Sequence, residues 1–121
     1  YVINPDYKKN NRDVDEIVKV GTVDAFQGME FDVVYLSMVR SNDIEIDVSD
    51  DSHNVYRMLQ KKYGFLMYEN RLCVAMSRQI KALICVGDSK MLHGAQAVKA
   101  IEPLVEYYKL CEEDEYGTII Q

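Results

Sequence analysis

VVYLSMV, residues 33 to 39, and ALICVG, residues 82 to 87, decide the fold class. Both runs are nearly continuous in apolar character and carry β-branched side chains, the pattern of strands covered on both faces in a parallel sheet. A half-wet antiparallel strand would alternate instead. A third apolar run, IVKVGTV from Ile17 to Val23, reads as another strand. The order of strands and helical patterns is that of a parallel α/β fold, with helices expected on both faces of the sheet.

Working outward from the strands, YENRLCVAMSRQ, residues 68 to 79, places Leu72, Ala75 and Met76 on one helical face. Arg71 and Arg78, seven residues apart, would fall within about 20° of each other on a neighbouring stripe. Near the C-terminus, EPLVEYYKLCEE begins with Pro103 in its first turn and spaces Leu104, Val105, Tyr108 and Cys111 as a packing helix. GAQAVKAI before it reads as a short helix of its own, because Pro103 biases Glu102 away from the α region. Residues 4 to 16, NPDYKKNNRDVDE, show no period and read as a loop. Residues 43 to 63 interrupt the β-α rhythm like an insertion. Its acidic part, 43 to 52, is expected to be a disordered loop, with a partner contact as the alternative, and a possible amphipathic helix follows on Val55, Met58, Leu59 and Tyr63. Residues 113 to 121 form an acidic tail.

Length and charge bound the function. The sequence has 121 residues, enough for one domain with an ordinary hydrophobic core and no need of disulfide or metal staples. With 20 acidic against 14 basic residues the net charge is −6, so the chain as a whole is not drawn to a nucleic-acid backbone. A free-standing nucleic-acid module is disfavoured. Cys73, Cys85 and Cys111 are widely spaced, form no CxxC and do not neighbour His53 or His93, which argues against zinc and disulfide frameworks. No metal ligand set is expected. Apolar runs of only a few residues leave nothing to span a membrane. The chain begins at Tyr1 with neither signal nor transit composition, so it reads as cut from a longer cytoplasmic or, in a eukaryote, nuclear polypeptide.

Two stretches could carry chemistry. In GTVDAFQGMEFDVV, residues 21 to 34, a strand would end near Thr22, Gly28 would permit close backbone approach, and Glu30 and Asp32 would precede the next strand. That arrangement suits a ligand at the carboxyl end of a sheet. It equally suits a tight link in which Asp24 caps the AFQG turn and Glu30 is merely solvated. In ENRLCVAMSRQIKALICVGD, residues 69 to 88, two aligned arginines run into a buried strand, and Arg presents a planar fork matched to phosphate. A surface helix on which Arg71 pairs with Glu69 or another carboxylate explains the same residues.

Taken together, the two stretches resemble a known family. Thr22-Val23-Asp24-Ala25-Phe26-Gln27-Gly28-Met29-Glu30, followed by an apolar strand and Val39-Arg40-Ser41-Asn42, resembles motif V of superfamily 1 helicases. Asn70-Arg71-Leu72-Cys73-Val74-Ala75-Met76-Ser77-Arg78 resembles motif VI, and Gly64-Phe65-Leu66 matches the run that commonly precedes it. The branch it looks most like is that of the nonsense-mediated-decay helicase and its DNA-processing relatives. The resemblance covers residues 17 to 112 and implies the C-terminal part of a second RecA-like lobe of P-loop NTPase type.

What the resemblance implies is specific. Gly28 and Glu30 would approach the nucleotide, the glutamate accepting from the ribose. Arg78 would be the arginine finger reaching ATP across the cleft from the first RecA-like lobe, and Arg71 a phosphate or lobe contact. Thr22 and Asp24 would touch a single nucleic-acid strand, DNA or RNA, with Gln27 and Arg40 coupling that contact to the nucleotide. ATP and Mg2+ would be held mainly by the first lobe, because neither GxxxxGK[ST] nor an acidic pair on an apolar strand occurs in this sequence. The chain alone should therefore be inactive. Asn70, Cys73 and Ser77 depart from the family's usual Arg, Asn and Thr. With the acidic insertion, these departures support a second reading: a degenerate helicase-like lobe kept as a protein-interaction module.

Overall fold

The structure, a computed structural model, describes residues 18–121. The predicted loop at 4 to 16 and Ile17 of the predicted first strand lie outside the described residues. Strand β1 (Phe31–Ser37) and strand β2 (Gln79–Val86) pair in parallel, Val34 opposite Leu83 and Leu36 opposite Cys85. Between them run α1 (His53–Tyr63), a 3-10 turn (Gly64–Met67) and α2 (Glu69–Met76). After β2 come a 3-10 turn (Ser89–Leu92) and α3 (Ala95–Cys111). The parallel α/β class is as expected.

The third apolar run behaves differently. Residues 18 to 22 form no strand, and Val23–Phe26 is a 3-10 helix. Val18 and Val20 stay exposed, so these valines gain no burial that would hold them in the sheet.

Each helix forms for local reasons. Ser52 caps α1, its hydroxyl accepting from Val55 N at 3.3 Å, and the helix stops at Gly64, whose φ of +57° suits glycine. Leu59 and Tyr63 are buried on its inner face. Helix α2 is shorter than its periodicity suggests and ends at Met76. Ser77 leaves the helical region at φ −121°, ψ 11°, and Gln79 already begins β2. Arg78 therefore sits beyond the helix, not on a common stripe with Arg71. Helix α3 breaks at Ile101 (φ −140°, ψ 41°), two residues before Pro103, which is the division between a short helix and the packing helix expected from the proline.

All three helices bury residues in one cluster with Leu36 and Met38. Tyr63, Leu66, Met91, Ile101 and Leu104 are its largest fully buried members, each such aliphatic or aromatic burial worth roughly 1.5–3 kcal/mol. The sheet's other face carries Val33, Tyr35, Ile80, Ile84 and Val86, and no described element covers it. Helix cover on both sides is thus seen on one side only among the described residues.

The acidic segment after β1 has no regular secondary structure, as a loop should, but it is built into the fold. Asn42, Ile44, Ile46 and Val48 turn inward while Asp43, Glu45 and Asp47 face out. Ile46 and Val48 pack on the core. Asn42 Nδ2 donates to Lys62 O at 3.0 Å, the buried Lys62 Nζ donates to Ile44 O, and Ile46 N donates to Gln96 Oε1 at 3.0 Å. Those bonds satisfy a buried ammonium and a buried amide, and they replace the expected disorder with a fixed course.

Candidate functional site

Parallel pairing sets the site's geometry. Gly28, Met29 and Glu30 lead into β1, Arg78 leads into β2, and parallel strands bring both lead-ins to the same end of the sheet. Phe31 N donates to Arg78 O at 2.8 Å, closing that end. The site therefore lies at the amino ends of the strands. The carboxyl-end placement expected from a preceding strand fails because residues 18 to 22 are not one.

Arg78 is held by its own neighbourhood. Nε donates to Val74 O at 3.1 Å, Nη1 to Met29 O at 3.3 Å, and Nη2 to Ser77 Oγ at 2.9 Å. The bond to Met29 O spans the two stretches that carry the helicase resemblance. A guanidinium has five N–H donors, so two remain for a ligand, on a side chain whose orientation is already set.

Arg71 projects from the first turn of α2 and pairs with Asp24 of the 3-10 helix, Nη2 to Oδ2 at 3.2 Å. Its guanidinium also lies 5.7 Å from the centre of the Tyr68 ring. The partner is thus Asp24 and not Glu69. Both side chains are more than half exposed, so the pair contributes no more than about 1 kcal/mol and can be displaced by a stronger anion. Asp24 does not cap the turn. The N-cap is Thr22, whose side chain makes no capping bond.

Gly28 has φ +80° and open space where a Cβ would stand, a conformation that favours glycine in front of an unobstructed approach. Glu30 and Gln27 are exposed and make no hydrogen bond or ion pair among the described residues. Between residues 18 to 26 and β1 lies a cavity of about 850 Å3, walled by Val23, Phe26, Leu36 and Phe65, with Arg71 and Arg78 among its lining. Its size is in the range of small-ligand sites. Arg40 is apart from all of this. It follows β1 at the carboxyl end of the sheet, about 20 Å from Glu30 by strand length.

The structure thus gathers Thr22, Asp24, Gln27, Gly28, Glu30, Arg71 and Arg78 at one end and leaves Arg40 at the other. Two features escaped the sequence reading: the Asp24–Arg71 pair, which joins the two motifs, and the buried Lys62. A lysine at the position seven residues after Val55, on the apolar stripe of α1, was the available signal for the second. Among the described residues no group of three or more His, Cys, Asp or Glu side chains could hold a metal ion, and no helix is long and apolar enough to cross a membrane.

Comparison with known proteins gives a consistent answer. The profile of an AAA domain family matches residues 2–90. DNA polymerase alpha-associated DNA helicase A of Saccharomyces cerevisiae is 39% identical over 75 residues, 62% of this chain and 9% of the helicase. An uncharacterized ATP-dependent helicase of Methanocaldococcus jannaschii is 30% identical over 104 residues, 86% of this chain and 12% of that protein. Regulator of nonsense transcripts 1 of Dictyostelium discoideum is 36% identical over 84 residues, 69% of this chain and 5% of the regulator. The chain spans no more than 12% of the length of any of these three relatives. No solved structure gave a significant match. Both the profile match over most of its length and the helicase relatives lead to one conclusion: the chain belongs to the AAA domain family and is a superfamily 1 helicase region.

Proposed function

We propose that the chain is the part of an ATP-dependent helicase that completes a nucleotide site formed mainly by another lobe of the same polypeptide. Arg78 is the arginine finger, Arg71 a second phosphate contact, and Gly28 and Glu30 the ribose side. The observation that carries this reading is the Arg78–Met29 bond, which fixes the finger beside the Gly28–Glu30 turn at one end of the sheet. Thr22 and Asp24 contact a single strand of nucleic acid, and Gln27 and Arg40 couple that contact to the nucleotide.

The residues present fit the phosphate and ribose of ATP: two guanidinium groups, an open glycine turn and an unpaired carboxylate at one edge. They offer no carboxylate cluster for Mg2+ among the described residues, so the metal would be held elsewhere. Bound ATP supplies the phosphoryl group whose transfer to water drives the motor. This chain's contribution is positioning and charge. Arg78, with two free donors and a fixed orientation, stabilises negative charge on the transferring group, an effect worth roughly 10³–10⁵ in rate. Arg71 exchanges Asp24 for phosphate, so nucleotide binding frees Asp24 and releases the pair that joins the two motifs. Because the finger acts only when another lobe closes on it, the chain alone is inert, and opening and closing move Thr22 and Asp24 against the strand.

The test is Arg78→Ala in the complete polypeptide. Nucleic-acid-stimulated ATPase should fall at least about a hundredfold while ATP affinity stays within a few-fold. Full turnover in this variant removes the finger assignment.

A further inference from the structure

The carboxyl end of the sheet holds a strained backbone position with a guanidinium next to it. Val39 has φ +56°, a left-handed conformation that is a genuine outlier for a β-branched residue. Such strain persists where surrounding contacts over-determine it. They do so here on both sides. Met38, before it, is buried, donates its N–H to Val86 O at 3.0 Å and packs on the bare α-carbon of Gly87, where a Cβ would come within 2.7 Å of Met38 Sδ. After it, Ser41 Oγ donates to Asp88 Oδ2 at 2.6 Å, and Asn42 is bonded to Lys62 O.

The strained turn lays Arg40 across Gly64. A Cβ at Gly64 would overlap the Arg40 guanidinium, with Cζ only 2.7 Å away. Arg40 is exposed and makes no hydrogen bond or ion pair among the described residues, so all its donors are available while its guanidinium lies against the bare α-carbon of Gly64.

We propose that Gly64 is a positioning residue for Arg40: its bare α-carbon seats the guanidinium that Val39 aims, and Arg40 there contacts a backbone phosphate of the single strand. The proposal deepens the reading of Arg40 given above and rests on it. The glycine at the end of α1 thus has two reasons to be glycine, a left-handed φ and a seat for an arginine. At φ +57°, ψ −128° any side chain violates both, and the double variant separates them, because shortening Arg40 relieves the overlap and leaves the backbone cost in place.

The experiment measures binding of fluorescent oligothymidylate and oligouridylate to the complete polypeptide over a salt series. Each lost phosphate contact should flatten the plot of log affinity against log salt by about 0.7. Arg40→Ala, Gly64→Asn and the double variant should all flatten it by that one contact, with the double no flatter than either single. The melting temperature lost in Gly64→Asn should be recovered only in part in the double variant, where the overlap is gone and the backbone cost remains. If Gly64→Asn does not fold, Gly64→Ala, with one methyl, is expected to give the same slope change. An unchanged slope in Arg40→Ala overturns the phosphate contact given to Arg40, and with it the positioning role of Gly64, while the contacts of Thr22 and Asp24 are tested separately. A normal slope in Gly64→Asn or Gly64→Ala beside a flattened one in Arg40→Ala overturns the positioning role alone, as does additivity in the double variant.

Discussion

The two ends of the sheet are built on opposite principles. At the amino ends the chain exposes its polar groups: Arg71 and Arg78 project beside an open glycine turn, and their bonds are to exposed partners or backbone oxygens. At the carboxyl ends, exposed Arg40 apart, it packs polar groups into the fold: Lys62 and Gln96 are buried, Met38 is locked on Gly87, and residues 42 to 48 are bonded to α1 and α3. The amino end is expected to lose a side chain and keep the fold. At the carboxyl end the buried side chains, unlike exposed Arg40, carry packing that the fold depends on, so nucleotide chemistry and stability sit mainly at different ends of one small structure.

That contrast can be broken in the 121-residue chain itself. The largest effect is expected from Gly87→Val, which forces a side chain into buried Met38 and should cost about 1–3 kcal/mol in urea unfolding. Next is alkaline stability. Burial, with the nearby Glu45 charge, pushes the Tyr63 phenol up to about 12, and burial beside Cys111 pushes the Cys85 thiol up to about 11. Both neutral forms belong to the folded state. Their contribution is whole below the ordinary values of 9 and 10 and is lost as pH rises through 11 and 12, so the melting temperature should drop across that window. A flat melting temperature from pH 9 to 12 would contradict the burial account. Asp24→Asn removes an exposed ion pair and should cost no more than about 1 kcal/mol. Comparable is Arg78→Ala, which removes bonds of a half-buried side chain to groups that water can then reach and is expected within about 1 kcal/mol of the parent. A large loss there would make Arg78 a structural residue and collapse the contrast.

Acid should act at the carboxyl end in the opposite sense. The Ser41 hydroxyl and then Lys90 N hold the Asp88 carboxyl below its usual range. This small contribution is present above the ordinary carboxylate pKa and lost as pH falls through the lowered one.

Much of this was legible from sequence. The apolar runs at 33 to 39 and 82 to 87 announced parallel strands because both faces are apolar. Pro103 announced the break in α3, and the apolar spacing of Val55, Leu59 and Tyr63 announced α1. The IVKVGTV run misled because strand character needs a neighbour to pair with, which composition does not reveal. In residues 43 to 48 the acidic content masked a period-2 alternation of Ile44, Ile46 and Val48 that pointed to packing. Arg40 against Gly64 and Arg71 against Asp24 were invisible for another reason. Each is a contact between distant parts of the chain, created by the parallel register and the turn at Val39.

The most direct test compares the two ends in the complete polypeptide: single-turnover ATP hydrolysis without nucleic acid, in Arg78→Ala and Arg40→Ala. The account predicts that hydrolysis drops at least about a hundredfold in Arg78→Ala and stays within a few-fold of the parent in Arg40→Ala. Equal losses in both variants, or none in Arg78→Ala, would contradict the assignment of phosphate chemistry to the amino ends of the strands.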